Sequence, residues 1–193
     1  MGLFCDGPAG QELIRSPRKM KKDHRFYADL QRYIAVTSVG PSALRNQGAP
    51  GVVKAAQHHL ARLDLGRFRA KSEVDFLRRL DRETERLRKT LPRGAQHWGS
   101  ARKALNIFLR DICYNRFLSQ KHGLAHAEDW MEMPLDSFVA RALKRKGKRR
   151  QLPRWPGLIR LTPETSATFQ AFARKTAATV SYTHLTLPTK RIV

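Results

Sequence analysis

The chain has 193 residues, 41% of them hydrophobic, which is enough to bury the core of one domain and excludes a chain that is disordered by composition. It contains 38 Lys and Arg but only 16 Asp and Glu, which gives a net charge of +22. This charge far exceeds the value of about 2–8 that keeps a small domain soluble, so we expect a polyanionic partner. No apolar run is long enough to span a membrane, the first residues lack a secretory signal, and two cysteines cannot make a disulfide framework, so a cytoplasmic protein is expected.

The N-terminal part begins with residues 1–22, whose Gly, Pro and basic residues predict a flexible arm. Met20, within this arm, is an alternative start codon. Apolar residues at helical spacing then predict a helix over 23–36. The Gly- and Pro-rich segment that follows predicts a compact loop, and a short helix is expected over 53–63.

A long helix is predicted to begin after Ser72 and to end at Pro92. Ser72 is a favoured N-cap, and Asp75 stands where a weak capping box needs an acidic residue. One face of this helix is expected to be buried: Val74, Leu77, Leu80, Thr84 and Leu87.

Three more helices are predicted in the C-terminal part. The strongest pattern covers 100–118, and Asp136 is expected to cap a helix over 137–146. The basic run 144–150 follows, and a last helix begins at Thr162–Pro163. Strand signals are scarce and there is no internal repeat. The fold class is therefore predicted to be all-α, as a compact multi-helix domain.

Residues 180–193 differ from the helical sequence before them. They bring Thr and β-branched residues without helical spacing. The segment resembles one reading frame of a transposase-type sequencing adapter, which contaminates genes predicted from shotgun assemblies. We expect residues 179–193 to be non-native and the helical domain to cover 23–178, with its native C-terminus truncated. An ordinary C-terminal strand is the alternative.

A polar stripe on the helix over 100–118 is a candidate for contacts with nucleic acid. Lys103, Asn106 and Arg110 are three and four residues apart, so they share one face of the helix. Two glycines precede this helix, and the free N–H groups at a helix N-terminus attract phosphate. A solvated helix face beside a loop is the alternative.

Two short motifs lie on these predicted helices. Gly99 to Leu109 reads G-x-x-R-K-x-x-N-x-x-L, and Pro134 to Arg141 reads P-x-D-x-x-V-x-R. Both stretches resemble motifs of the helix-hairpin-helix DNA glycosylases. The spacing between the motifs is nearest to that of the archaeal 8-oxoguanine DNA glycosylases.

The resemblance implies a helix-hairpin-helix glycosylase-like fold and a base-excision DNA glycosylase with lyase activity. By position in the motifs, Lys103 would attack the sugar C1′ and Asp136 would be the second catalytic residue. The alternatives are a surface phosphate contact for Lys103 and a plain N-cap for Asp136. Duplex DNA is the expected partner, with RNA as a possibility, and the residues expected to bind it here are Arg102, Asn106, Arg110, Arg141 and Lys144.

The chemistry implied by the resemblance sets requirements on the site. A lysine attacks carbon only as the neutral amine, which burial and neighbouring cations favour. A carboxylate at a helix N-terminus can stabilise an oxocarbenium-like sugar or guide a proton. The target base has to leave the duplex and enter a pocket between aromatic faces. Three aromatic residues are available, although burial in the core is their commoner role: Trp98, Tyr114 and Trp130.

The sequence departs from the family pattern in the hairpin turn. Residues 92–99 make a longer turn than usual and carry His97 and Trp98. No four-cysteine loop is present, so no iron–sulfur cluster and no other cofactor is expected. A metal site is not expected either, because Gly123 separates His122 from His126 and no third ligand is evident.

The loop over 40–48 is a second candidate for nucleic-acid binding. Arg45, Asn46 and Gln47 lie between glycines, and such side chains suit bidentate contacts with base edges or phosphates. The alternative is a turn in which these side chains bond their own backbone. For the whole chain, the second functional hypothesis is a non-enzymatic helical nucleic-acid-binding protein, for example of a defence or restriction system.

Overall fold

The computed structural model describes residues 17–147 and 151–179, and every regular element in these ranges is helical. The predicted all-α class is therefore confirmed. The described residues form seven α-helices joined by loops and short 3₁₀ turns: α1 (Pro17–Ser38), α2 (Val52–Ala61), α3 (Glu73–Thr90), α4 (Trp98–Tyr114), α5 (Arg116–His122), α6 (Ser137–Lys146) and α7 (Pro163–Thr179).

Helix α1 begins at Pro17, earlier than the predicted start at Asp23, so the C-terminal part of the predicted arm is helical. Proline is favoured in the first turn of a helix, and no Gly or second Pro interrupts the residues up to Ser38. Three predicted features lie outside the described residues: the arm up to residue 16, the end of the basic run and the adapter-like segment. Among the described helices, none has the length and apolar character that crossing a bilayer requires.

Helix α3 confirms the predicted cap and corrects the predicted face. The Ser72 hydroxyl accepts a hydrogen bond from the backbone N–H of Asp75 at 3.2 Å. Val74, however, is 59% exposed, and Phe76 is buried instead. Its apolar residues fit two helical phases, and packing of Phe76 on Phe68 and Trp130 selects the one that includes Phe76. Three of the residues predicted to face inward are buried: Leu80, Thr84 and Leu87.

The single helix predicted over 100–118 is two helices in the structure. The break is at Asn115, whose side-chain oxygen accepts a hydrogen bond from the backbone N–H of Leu118 at 3.1 Å. Asn is a favoured N-cap, and its side chain competes with the helical hydrogen bonds of the backbone. Leu118 is still fully buried, so the change of direction preserves the apolar contact that the periodicity predicted.

The buried apolar residues form two clusters. The larger one lies among α1 to α5, and the smaller one joins α6 and α7 around Phe169. The N-terminal turn of α4 also packs on the segment before α7. There, a Cβ at Gly99 would overlap the carbonyl oxygen of Leu158, so only glycine allows this approach. The two clusters therefore meet along α4, on the side that carries the polar stripe.

Candidate functional site

The polar stripe of α4 is mostly buried rather than solvated. Of its three residues, Lys103 and Asn106 are 9% and 4% exposed, and Arg102, next to Lys103, is 5% exposed. Their partners lie in the segment just before α6, at Glu132 and Asp136. Polar groups persist inside a protein where they are paired, and each of these three side chains has a partner. The stripe is thus a built polar contact between the two apolar clusters.

Asp136 is the N-cap of α6, as predicted. Its Oδ1 accepts hydrogen bonds from the backbone N–H groups of Phe138 and Val139, both at 2.9 Å. The second oxygen, Oδ2, is not used by the cap. The two backbone donors hold the carboxylate in one orientation, with Oδ2 facing α4.

Lys103 and Asp136 meet at this point, although 33 residues separate them in the sequence. The Nζ atom of Lys103 lies 3.4 Å from Oδ2 of Asp136. This is longer than the 2.7–2.9 Å of a strong charge-assisted hydrogen bond. The side chain of Lys103 is 10% exposed and that of Asp136 is 30% exposed.

Arg102 is held on all sides by protein groups. Its Nε and Nη2 atoms each lie 2.8 Å from the carboxylate of Glu132, and Nη1 lies 2.8 Å from Asp81 and 3.0 Å from the hydroxyl of Thr84. Its guanidinium also stacks over the ring of Trp98, 5.2 Å from the centroid. The predicted contact between Arg102 and nucleic acid would require these bonds to break.

Glu132 completes what we call the buried polar cluster, formed by Arg102, Asn106 and Glu132. The Asn106 amide donates to Glu132 at 3.1 Å. Burial acts to raise the pKa of Glu132, but the hydrogen bonds and charge of Arg102, assisted by Asn106, outweigh burial and lower that pKa below its usual value. Glu132 is therefore ionised at neutral pH. Glu132 compensates the charge of Arg102 beside Lys103, and their mutual hydrogen bonds fix the side chains of Arg102 and Glu132.

Helix α7 anchors the segment that carries the two carboxylates. The Gln170 amide, buried at 6% exposure, accepts a hydrogen bond from the backbone N–H of Met133 at 3.1 Å and donates one to its carbonyl at 2.8 Å. Leu135 packs in the smaller apolar cluster. Glu132 and Asp136 are thus placed on either side of backbone that two independent contacts hold, which is the support that a preorganised site needs.

The two motifs that resemble the helix-hairpin-helix glycosylases come together in this site. The first forms most of α4, the second forms the entry and the first turn of α6, and their Lys103 and Asp136 are in contact. No protein-family model, curated protein or solved structure matches the chain. Membership of the glycosylase family stays a prediction.

The loop over 40–48 is tied to the start of α4. Gln47 is 8% exposed; its amide donates to the carbonyl of Arg45 at 2.8 Å, and its oxygen accepts from the buried hydroxyl of Ser100. Asn46 has φ +57°, which Asn tolerates better than most residues. Gln47 therefore fits the alternative of a self-bonded turn, whereas the side chains of Arg45 and Asn46 are exposed.

The remaining predicted contacts differ in their access to solvent. Arg110 is half-buried and pairs with Asp111 at 2.8 Å. Arg141 and Lys144 are exposed on α6, on the turns that follow Asp136. They line an open groove of about 520 Å³ together with two further described residues: Phe138 and Arg145.

Sequence reasoning missed two residues of this region. The sequence prediction does not include Glu132, although a carboxylate close to the P-x-D motif is a candidate partner for a buried cation. The motif gives Phe138 no role, yet its side chain is 73% exposed. Helical spacing from Phe138 reaches Arg141 and Arg145 rather than the buried Ala140 and Leu143, and this would have placed it on the cationic face.

Of the three candidate aromatic residues, only Trp98 lies beside the site. Trp130 packs on Phe76 and His126 at ring-centroid distances of 6.3 and 5.3 Å, and Tyr114 is 68% exposed at the end of α4. In the part of the chain that the structure describes, no group of three or more His, Cys, Asp or Glu is placed to hold a metal ion.

Proposed function

We propose that the protein is a base-excision DNA glycosylase with lyase activity, in which Lys103 is the nucleophile and Asp136 exchanges protons with it. The observation that carries this proposal is the 3.4 Å contact between Nζ of Lys103 and Oδ2 of Asp136. The glycosylase-like fold is part of the same proposal. The resemblance of the two motifs and the net charge of +22 support it.

In the proposed reaction, the Lys103 ammonium gives one proton to Oδ2 of Asp136 and becomes a neutral amine. The amine nitrogen then forms a bond to C1′ of the sugar as the bond between C1′ and the base breaks. The base leaves with that electron pair and takes the proton from Asp136. Opening of the sugar ring transfers a second proton from the lysine nitrogen to the ring oxygen, which leaves an iminium ion that links Lys103 to the DNA.

The surroundings of the pair suit this role. The buried polar cluster fixes α4 against the segment before α6, so the amine and the carboxylate are positioned before substrate binds. The two N–H donors of the α6 cap leave one oxygen of Asp136 available for proton transfer. The exposed cations of α6, on the turns after Asp136, would supply phosphate contacts.

Borohydride trapping tests the proposal, because hydride reduces the iminium ion to a stable covalent adduct. DNA with an 8-oxoguanine, and separately DNA with an abasic site, should yield an adduct with the full chain and none with Lys103→Gln. Lys103→Arg is the matched control, since it keeps the positive charge opposite Asp136 but is no nucleophile. It should retain DNA binding and lose the adduct.

A non-enzymatic nucleic-acid-binding protein is the second candidate, and the excess of cationic side chains favours it equally. In that case Lys103 and Asp136 are an ordinary ion pair that joins α4 to α6. Tight, salt-dependent binding of DNA without any adduct on either substrate would support this second function and contradict the first. Stronger binding to RNA than to duplex DNA at the same salt concentration would point to an RNA partner.

A further inference from the structure

We propose that Phe138 is a stacking platform for an unpaired base of a DNA strand bound along α6. The inference rests on the proposed function in that it places this strand beside Lys103 and Asp136. Phe138 is 73% exposed, the highest exposure among the large apolar residues in the part of the chain that the structure describes. An aromatic face of this kind accepts any base, and stacking on it does not depend on sequence.

One face of the Phe138 ring is already covered by a cation. The Cζ atom of Arg141 lies 4.7 Å from the ring centroid. Its Nε donates to the carbonyl of Ser137 at 3.1 Å, which holds the guanidinium in this position. The opposite face of the ring is the one a base would use, with Arg141 strengthening the stack from behind.

The charges around the ring match the backbone of a nucleic acid strand. Among the described residues, those that line the open groove of about 520 Å³ beside Phe138 are the ring and three cationic side chains, and none of them is a carboxylate: Phe138, Arg141, Lys144 and Arg145. A strand presents bases and phosphates in alternation, so one aromatic face surrounded by cations complements one nucleotide and its neighbouring phosphates.

Phe138 lies close to the proposed reacting groups, where a stacked base would assist substrate binding. Its backbone N–H donates at 2.9 Å to Asp136, so ring and carboxylate belong to the same helical turn. A nucleotide whose sugar reaches Lys103 leaves its stacked neighbours, and an adjacent base then needs a new surface. Phe138 supplies that surface within one turn of the reacting groups.

The test compares binding of a single-stranded DNA oligonucleotide and of the matched duplex by fluorescence anisotropy at fixed salt. Phe138→Leu keeps an apolar side chain but removes the ring. It should weaken single-strand binding about 5- to 150-fold, the loss expected for one base stack of about 1–3 kcal/mol. Phe138→Trp should restore the affinity. The control is Phe117→Leu, which removes another exposed ring, 55% exposed on α5.

The salt dependence separates stacking from charge. Phe138→Leu should leave the slope of log affinity against log salt unchanged, whereas Arg141→Gln should reduce that slope by about one phosphate contact. Wild-type affinity of Phe138→Leu for the single strand, or an equal loss for single strand and duplex, would overturn the stacking role. If the native chain forms a borohydride adduct but Phe138→Leu binds the single strand with wild-type affinity, only the stacking role is rejected. If single-strand binding depends on the Phe138 ring but no adduct forms, only the proposed enzymatic activity is rejected.

Discussion

Arg102 and Glu132 form a two-point ion pair inside the protein, immediately beside Lys103. Both nitrogen–oxygen distances are 2.8 Å, and the two side chains are only 6% and 9% exposed. Asp81 and Thr84, both on α3, contact the same guanidinium. A single side chain thus connects α3, α4 and the segment that leads into α6.

Glu132→Gln is expected to destabilise the protein strongly. Loss of one partner from a buried ion pair usually costs about 3–5 kcal/mol, because the other charge is left uncompensated. Asp81 still contacts Arg102, so we expect the lower end, about 3 kcal/mol. Urea denaturation gives the free energy of unfolding. Glu85→Gln is the control: it breaks a half-buried pair with Arg88, which is far more solvent-exposed than Arg102–Glu132, and should cost less than about 0.5 kcal/mol. Equal costs for both variants would contradict the role assigned to the pair.

Glu83 is expected to make stability depend on pH. Burial acts to raise its pKa, but hydrogen bonds from His59 and Arg86, both 2.9 Å long, outweigh burial and hold that pKa below its usual value. Arg67 approaches the same carboxylate at 3.6 Å. Because the pKa is lower in the folded state, the unfolded state binds the proton more readily. The stabilisation is complete above the unfolded pKa, about 4.3, and is lost as the pH falls towards the folded pKa.

Glu83→Gln isolates this effect from the other carboxylates. The free energy of unfolding, measured from about pH 6 to pH 3, should be lower for the variant near neutral pH, where the native carboxylate is ionised. The difference in the free energy of unfolding between the two proteins should shrink as the pH falls, since Glu83 then becomes neutral in both the folded and the unfolded wild-type protein. A difference that stays constant over this range would show that the ion pairs of Glu83 contribute no pH-dependent stability.

Gln47→Ala and Arg45→Ala are expected to have opposite effects, although the residues are near neighbours. Gln47→Ala leaves the fully buried hydroxyl of Ser100 without its partner, which should cost about 1–3 kcal/mol of stability. Arg45 is exposed, so Arg45→Ala should leave stability unchanged and lower only the affinity for DNA. Urea denaturation and anisotropy binding distinguish the two. If Gln47→Ala lowers DNA affinity with no loss of stability, the side chain of Gln47 contacts base edges of the bound DNA, as the sequence predicted.

The sequence predicted most helices because their signals are local. The caps at Ser72 and Asp136 and the apolar spacing act within a few residues, and both caps are confirmed. The errors come from competition between local signals. Asn115 lies within an apolar periodic stretch, and only the structure shows that its cap outweighs continuation of the helix. Val74 and Phe76 fit alternative helical phases, which packing decides.

The site was predicted as residue types but not as a network. Motif positions gave Lys103 and Asp136, which the structure brings together. The partners of Arg102 lie 30 and 21 residues away, at Glu132 and Asp81. Such spacings carry no periodicity, so only the tertiary fold shows that the guanidinium of Arg102 is already hydrogen-bonded to protein groups. The same reasoning applies to Gln47, whose contact with Ser100 spans 53 residues.

Asp136→Asn and Asp136→Ala separate the two roles of Asp136. Asn is as good an N-cap as Asp, and its amide oxygen can accept the same backbone N–H groups, whereas Ala cannot. Both variants remove the charge opposite Lys103. We therefore expect the alanine variant to be less stable than the asparagine variant by about 1 kcal/mol, the usual value of a cap. Urea denaturation measures this difference.

Borohydride trapping on the same two proteins then tests the catalytic role of the charge. Both variants should lose the adduct, because neither can take the proton from Lys103 at the 3.4 Å contact. The asparagine variant decides the outcome, since it keeps the cap and hence the geometry of α6. Full adduct formation by Asp136→Asn would mean that the carboxylate only caps α6, and another group would have to accept the proton. Loss in Asp136→Ala alone would assign the effect to the helix terminus instead of the charge.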